Sequence, residues 1–343
     1  MSRFRRPSLG SEFGYVPGEQ PPDDGEWLKL NTNEAPLPPS PAVARAVADA
    51  AAGLRRYPDP FGEPLRSELA RYHGVDAEQV LVLNGADQAI DCCFRAFCEP
   101  GDMVVYPAPS YSLFPVLAQV FGVGPVEVPL DTGFTLPAAL GTAPGALRFV
   151  VNPNAPTGVW MPPDGVEELV GGAPGVVVVD EAYADFAPAS CVPLLQRHDN
   201  WLVLRTFSKA HALAGLRIGY AVGGADLIAD LAAVKDSYPI DRCAVAGALA
   251  ALDDVAHHRA IVDLVCAQRD RVTARLRAGG WDVPPSHGNF VFARPPDGDA
   301  LGWLHRLRDA KILVRHFASP NDRLRITIGA PPDNDRLLAA LGL

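Results

Sequence analysis

Val176-Val177-Val178-Val179-Asp180-Glu181-Ala182-Tyr183 decides the fold class. Four valines in a row leave no polar face, so a strand built from them is covered on both sides, the habit of parallel sheets in α/β proteins. The same grammar runs outward. Val80 to Leu83 reads as a strand, Asn84-Gly85-Ala86-Asp87-Gln88 as a turn, Asp87 to Phe97 as a helix, Met103 to Tyr106 as a strand and Tyr111 to Phe121 as a helix. Strands at Arg148 to Val151, Trp201 to Leu204 and Ile218 to Val222 continue this β-α-β-α order. The expected architecture is α/β, a mostly parallel central sheet covered by helices.

The flanks differ. The first 40 residues are rich in Pro, Gly and acidic groups and read as an extended arm. Ser40-Pro41 then opens a helix over Ala42 to Ala52, with Ser as cap, Pro in the first turn and Gly53 as the stop. A second helix is expected near Glu63 to Tyr72. After the Ala-rich stretch from Arg242 to Leu252 and a helix from His257 to Ala278, a compact α+β unit begins near Trp281. Its strands are expected at Asn289 to Ala293, Ile312 to Val314 and Leu324 to Ile328, with a helix near Leu301 to Ala310 and another at the end. This gives an arm (1–40) joining a smaller domain, a large domain (41–245), and a linking helix with the small C-terminal domain (246–343).

With 343 residues, 48% hydrophobic and 20% charged, the chain has room for two such domains and a real core. A formal net charge of −10 argues against a nucleic-acid partner, since phosphate-backbone affinity comes from clustered Lys and Arg. The N-terminal Met1-Ser2-Arg3-Phe4-Arg5-Arg6-Pro7 is basic but leads into no apolar signal core, and no apolar run is long enough to span a bilayer. Cytoplasm is the expected compartment. Six cysteines without a C-x-x-C pair suggest buried thiols, neither a metal site nor a redox motif.

Lys209 follows Asp180 by 29 positions and precedes Gly215-Leu216-Arg217-Ile218-Gly219-Tyr220. An amine for an aldehyde, an anion for a pyridine nitrogen and a cation for a phosphate are what pyridoxal phosphate requires. Asp180 ends an apolar strand, where a carboxylate wants a cation. Gly85, Ala86 and Asp87 open a helix whose N–H groups suit a phosphate, and Thr206, Ser208 and Arg217 would complete the cup. Tyr111 could stack on a ring and Tyr183 could bond its oxygen. Arg315 and Arg325, in apolar strands, could each hold a substrate carboxylate or phosphate. Taken singly, each has a plainer reading: a surface lysine, a helix cap, a core aromatic, a turn, an internal salt bridge.

In this order the motifs resemble the fold-type I pyridoxal-phosphate transferases, and most closely the histidinol-phosphate aminotransferase family. The resemblance runs from Tyr15-Val16-Pro17-Gly18-Glu19-Gln20 and Leu30-Asn31-Thr32-Asn33-Glu34, through Arg56-Tyr57-Pro58, Gly85-Ala86-Asp87, Asp180-Glu181-Ala182-Tyr183 and Thr206-Phe207-Ser208-Lys209-Ala210, to Leu324-Arg325-Ile326-Thr327-Ile328-Gly329. It implies that Lys209 carries the cofactor, Asp180 faces the pyridine nitrogen, Tyr183 the ring oxygen, and Tyr111 stacks. It also implies a homodimer in which Tyr57 reaches the neighbouring subunit's cofactor phosphate. Substrate would meet Arg325 through its carboxylate and Arg315 through its phosphate, with Asn33 and Tyr238 nearby.

Three departures stand out. The family often has Asn-Asn-Pro-Thr-Gly, where this chain has Asn154-Ala155-Pro156-Thr157-Gly158, leaving Asn154 as the amide for the ring oxygen. Ala35-Pro36-Leu37 stands where relatives carry a tyrosine near the substrate phosphate, and the segment from Lys235 to Arg242 is short. The expected reaction is transamination between L-histidinol phosphate and 2-oxoglutarate. An aromatic or natural-product aminotransferase, a threonine-phosphate-type decarboxylase, and a binding protein without turnover are the alternatives.

Overall fold

In the computed structural model, which describes residues 3–9, 14–22 and 24–343, Val177 and Val179 enter one apolar core and Val178 another. Met1 and Ser2 of the basic stretch, and residues 10–13 and 23 of the arm, lie outside the described residues. Val80 and Val82 oppose Leu81 and Leu83 in the same way, as Trp201 and Val203 oppose Leu202 and Leu204. Strand side chains alternate, so an uninterrupted apolar run serves two cores at once.

Seven strands form the central sheet in the order Val80–Leu83, Gly219–Gly223, Trp201–Thr206, Val176–Asp180, Leu147–Val151, Met103–Ala108 and Gly124–Pro129. Neighbours are parallel except around Gly219–Gly223, which runs against both its partners. Helices Gly85–Phe97, Leu113–Phe121 and Ala225–Val234 cover one face. Pro41–Ala51, Leu65–His73, Pro163–Val170 and Arg242–Asp253 cover the other. Ser40 caps the first of these by accepting from Ala42 N at 3.2 Å. The Gly124–Pro129 strand was not expected: it is a half-exposed edge strand beginning at Gly and ending at Pro, both weak strand signals.

The arm joins the smaller unit through Leu28–Lys29, paired in parallel with Ile312–Leu313. The expected single strand at Ile312 to Val314 is in fact two. Ile312–Leu313 belongs to the arm's sheet, while Arg315–His316 joins Leu324–Thr327 and Phe290–Ala293 in an antiparallel sheet. Packing changes from the large core to the small one at Asp254, beyond the 245/246 division: Val245, Ala248 and Ala251 belong to the first, Ile261 and Val265 to the second. Asp254 breaks the helix there, accepting from His257 N at 3.1 Å and from Ser40 Oγ at 2.6 Å. Among the cysteines, Cys92, Cys93 and Cys191 are buried and the other three partly so, all as free thiols. No helix among the described residues is long and apolar enough to cross a membrane.

Candidate active site

Val151, Asp180 and Thr206 each end a sheet strand, and all three open on one cavity. Carboxyl ends of parallel strands are where such sheets leave room for ligands. The first turn of Gly85–Phe97 brings Ala86 and Asp87 to the same cavity, and the arm brings Tyr15, Gly18 and Asn31 to Asn33. Tyr111, Tyr183, Ser208, Lys209 and Arg217 complete the floor, and the small unit adds Arg315 and Arg325.

The loop bearing Lys209 is pinned by buried Phe207, whose N–H bonds Ile218 O at 3.0 Å and whose carbonyl accepts from Leu213 N at 3.1 Å. Lys209 Nζ donates to Thr32 O at 3.4 Å and stands 5.7 Å from the Tyr183 ring centre. Asp180 is only 4% exposed, with Ala182 N donating to Oδ1 at 3.0 Å. Burial pushes its carboxyl up to about 6; Asp87 and Glu181 add repulsion, while the Ala182 N–H and Lys209 pull the other way. A buried carboxylate in this condition suits a protonated pyridine nitrogen.

At the opposite end, Gly85 opens its helix with φ 76, and a Cβ there would lie 2.7 Å from Arg217 Nη2. Only glycine lets the guanidinium cross this helix N-terminus. Thr206 Oγ1 and Ser208 Oγ lie 3.0 Å apart, with Arg217 Nη1 3.5 Å from Ser208 Oγ. Helix N–H groups, two hydroxyls and a guanidinium form a donor set for a phosphate. Asp87 takes a different part from its neighbours: its carboxylate holds Tyr111 Oη at 2.8 Å and Arg217 Nη2 at 3.1 Å. Burial and Asp87 push the Tyr111 phenol above its ordinary value. The residues present therefore fit pyridoxal phosphate at both ends.

Arg325 Nη2 donates to Asn31 O at 2.9 Å, but its buried Nε has no partner among the described residues. Burial pulls this guanidinium below its ordinary value. It pairs with no carboxylate there, so the internal salt bridge is not its explanation. Arg315 also reaches the cavity, yet its guanidinium donates to Val16 O at 2.7 Å and Pro17 O at 3.0 Å.

Two of the expected site residues do not line this cavity. Asn154 does not line the cavity: its Oδ1 accepts from Ser110 Oγ at 2.7 Å, and its Nδ2 donates to Pro109 O and Thr157 Oγ1 at 3.0 Å each. Both its amide hydrogens are used in holding the turn, and Ala155 lines the cavity instead. Tyr238 lies outside the cavity too, stacked on Tyr57 with ring centres 4.6 Å apart. Both rings are exposed, Tyr57 at 77%.

Tyr15, Gly18 and Thr32 line the site without having been assigned a part in it. Their motifs carried the resemblance, and the structure adds that a Cβ on Gly18 would meet Thr32 Cγ2. Behind Asp180, Arg205 pairs with Glu181 at 3.2 Å and Asp185 at 2.6 Å, an ion cluster that the apolar strand pattern concealed. Asp185, His211 and His258 each bring a ligand atom within 4.8 Å of the others. The two imidazoles are stacked, with ring centres 4.3 Å apart at 27°.

Residues 25–341 match the family of class I and II aminotransferases. The chain is 46% identical to histidinol-phosphate aminotransferase 1 of Bradyrhizobium diazoefficiens, over 99% of both chains. It is 47% identical to the protein of that name from Bordetella parapertussis, over 99% of this chain and 98% of that one. Its fold superposes with a TM-score of 0.85 on histidinol-phosphate aminotransferase from Sinorhizobium meliloti in complex with pyridoxal-5'-phosphate, at 29% identity, covering 92% of this chain and 89% of that one. With the family matched over residues 25–341 and relatives 46% and 47% identical along almost the whole length, the chain belongs to the class I and II aminotransferases.

Proposed function

We propose that this protein is a pyridoxal-phosphate-dependent histidinol-phosphate aminotransferase that moves an amino group between L-histidinol phosphate and 2-oxoglutarate. The observation that carries this reading is a single cavity onto which Asp180, Lys209 and Arg217 open together with Arg325, whose Nε is unpartnered. Relatives of that name at 46% and 47% identity support the choice of substrate.

Pyridoxal phosphate, when bound, supplies an electron sink for the carbon that bears the amino group. Ala86, Thr206, Ser208 and Arg217, with the backbone N–H of Asp87, would hold its phosphate, while Tyr111 would lie against its ring and Tyr183 would meet the ring oxygen. Asp180 keeps a proton on the ring nitrogen. Lys209 Nζ would move a proton to and from the substrate carbon. Histidinol phosphate carries a phosphate ester where glutamate carries its α-carboxylate, so one cationic end of the cavity must serve both anions. Arg325 is that end. Arg315 joins it by exchanging the Val16 and Pro17 carbonyls for the phosphate.

We further infer a cytoplasmic homodimer in which the exposed Tyr57 and Tyr238 face the partner's cavity. The reaction is tested by supplying histidinol phosphate and 2-oxoglutarate to the purified holoenzyme and measuring glutamate and imidazole-acetol phosphate. No glutamate would refute the assignment. Release of carbon dioxide from an amino-acid phosphate would instead favour the decarboxylase.

A further inference from the structure

Asn33 sits in the arm with φ 57 and is 1% exposed. Its backbone N–H donates to Thr327 Oγ1 at 3.0 Å and its carbonyl accepts from Asn289 Nδ2 at 2.9 Å. Thr327 Oγ1 in turn donates to Asn33 Oδ1 at 3.0 Å. A hydroxyl has one hydrogen. Having accepted from the Asn33 backbone, Thr327 gives that hydrogen to the side-chain oxygen, which turns the amide so that Nδ2 donates to Tyr183 Oη at 2.9 Å. Tyr183 therefore accepts from Asn33 and keeps its own hydrogen for another acceptor.

Neither Asn154 nor Ala155 in the turn at residues 152–158 offers a competing side-chain donor. Ala155 faces the cavity without a polar side chain, and the Asn154 amide is committed to Ser110, Pro109 and Thr157. We propose that Asn33 is a positioning residue for Tyr183: it directs the phenolic hydrogen at the cofactor's ring oxygen and strengthens it as a donor, supplying from the arm what the turn lacks. Successive hydrogen bonds polarise one another, so an amide donating into a phenol makes that phenol a better donor. The inference rests on pyridoxal phosphate occupying the cavity, and binding of the cofactor is read separately from the effect proposed.

A hydrogen bond to the ring oxygen stabilises the form in which that oxygen carries uncompensated negative charge, and so lowers the pH at which the bound cofactor's visible band titrates. The holoenzyme is titrated from acid to alkaline pH as wild type, Asn33→Ala, Tyr183→Phe and the double variant. Asn33→Ala should raise the midpoint by about half a unit to one unit, the scale of one net hydrogen bond. In the Tyr183→Phe background it should add nothing, because the two residues act in series. Asn33→Asp keeps the acceptor for Thr327 while removing the donor, so it should also raise the midpoint if Asn33→Ala fails to fold. An unchanged midpoint overturns the proposal. A lowered one does so too, showing that the amide faces the other way and had been accepting the Tyr183 hydrogen. So does a rise of equal size in the Tyr183→Phe background. Failure of the wild type to take up a visible band would refute the cofactor reading instead.

Discussion

The Tyr111 hydroxyl donates to Asp87 Oδ1 at 2.8 Å, tying the aromatic wall of the cavity to the first turn of the Gly85–Phe97 helix. The other Asp87 oxygen holds Arg217 at 3.1 Å. One carboxylate thus sets both the ring and the guanidinium. Asp87→Ala should loosen both, weakening pyridoxal phosphate by about tenfold, the scale of one or two net hydrogen bonds. Equilibrium dialysis against the cofactor measures this, and wild-type affinity would contradict it.

Asp180 predicts a pH dependence of the cofactor-free protein. Its folded carboxyl is raised to about 6, because of burial first of all, against an unperturbed 3.8. The folded state therefore favours the protonated acid. Below pH 4 the group costs nothing; the cost grows as pH rises and is complete above 6, on the order of 3 kcal/mol. Urea unfolding of the cofactor-free wild type and Asp180→Asn across pH 4 to 8 should show the variant gaining relative stability over that window. Pyridoxal phosphate, by bringing a cation to Asp180, should remove the difference or reverse it.

Asn154→Ala should act on stability and leave the cofactor's environment alone. It strands Ser110 Oγ, Pro109 O and Thr157 Oγ1 in a largely buried setting, at a cost of about 2–4 kcal/mol. Chemical denaturation reads the loss. A changed midpoint of the cofactor's visible titration would mean that the amide does reach the ring.

Arg325→Ala should raise KM for 2-oxoglutarate by about a hundredfold, the loss of a charge-assisted paired contact. Cofactor affinity should stay at its wild-type value, since Arg325 touches Asn31 and not the phosphate cup. Steady-state kinetics beside cofactor titration separates the two.

If Tyr57 serves the partner's cavity, Tyr57→Ala and Lys209→Ala subunits, each inactive alone, should complement when mixed. Random reassociation yields half mixed dimers, each with one intact site, so about a quarter of wild-type activity should return. No recovery after verified subunit exchange would place Tyr57 outside the shared site.

What the sequence made legible follows from chain direction. A four-valine strand ending in Asp180 and a lysine just past the next strand lie in the period and order of neighbouring elements, which residue types alone report. The Gly85 turn was readable for the same reason. What escaped depends on where side chains point after distant segments meet. Nothing local says that the Asn154 amide turns toward Ser110 and Pro109, nor that Tyr238 finds Tyr57 across the surface. The Arg205 cluster was hidden because an apolar strand and an arginine read alike until Glu181 and Asp185 are folded beside it. Asn33 was placed near the substrate, but its bond to Tyr183 depends on Thr327, nearly three hundred residues away.

The parallel pairing of Leu28–Lys29 with Ile312–Leu313 has a bearing on the order in which this chain can assemble. Contacts so far apart in sequence form late, after the loop between them has been closed by other means. The central sheet can be complete while the ribosome still holds the last strands, whereas a cavity lined from Tyr15 to Arg325 cannot. A nascent chain stalled before residue 312 would thus own Lys209, Asp180 and Arg217, and still have no roof to bring over them.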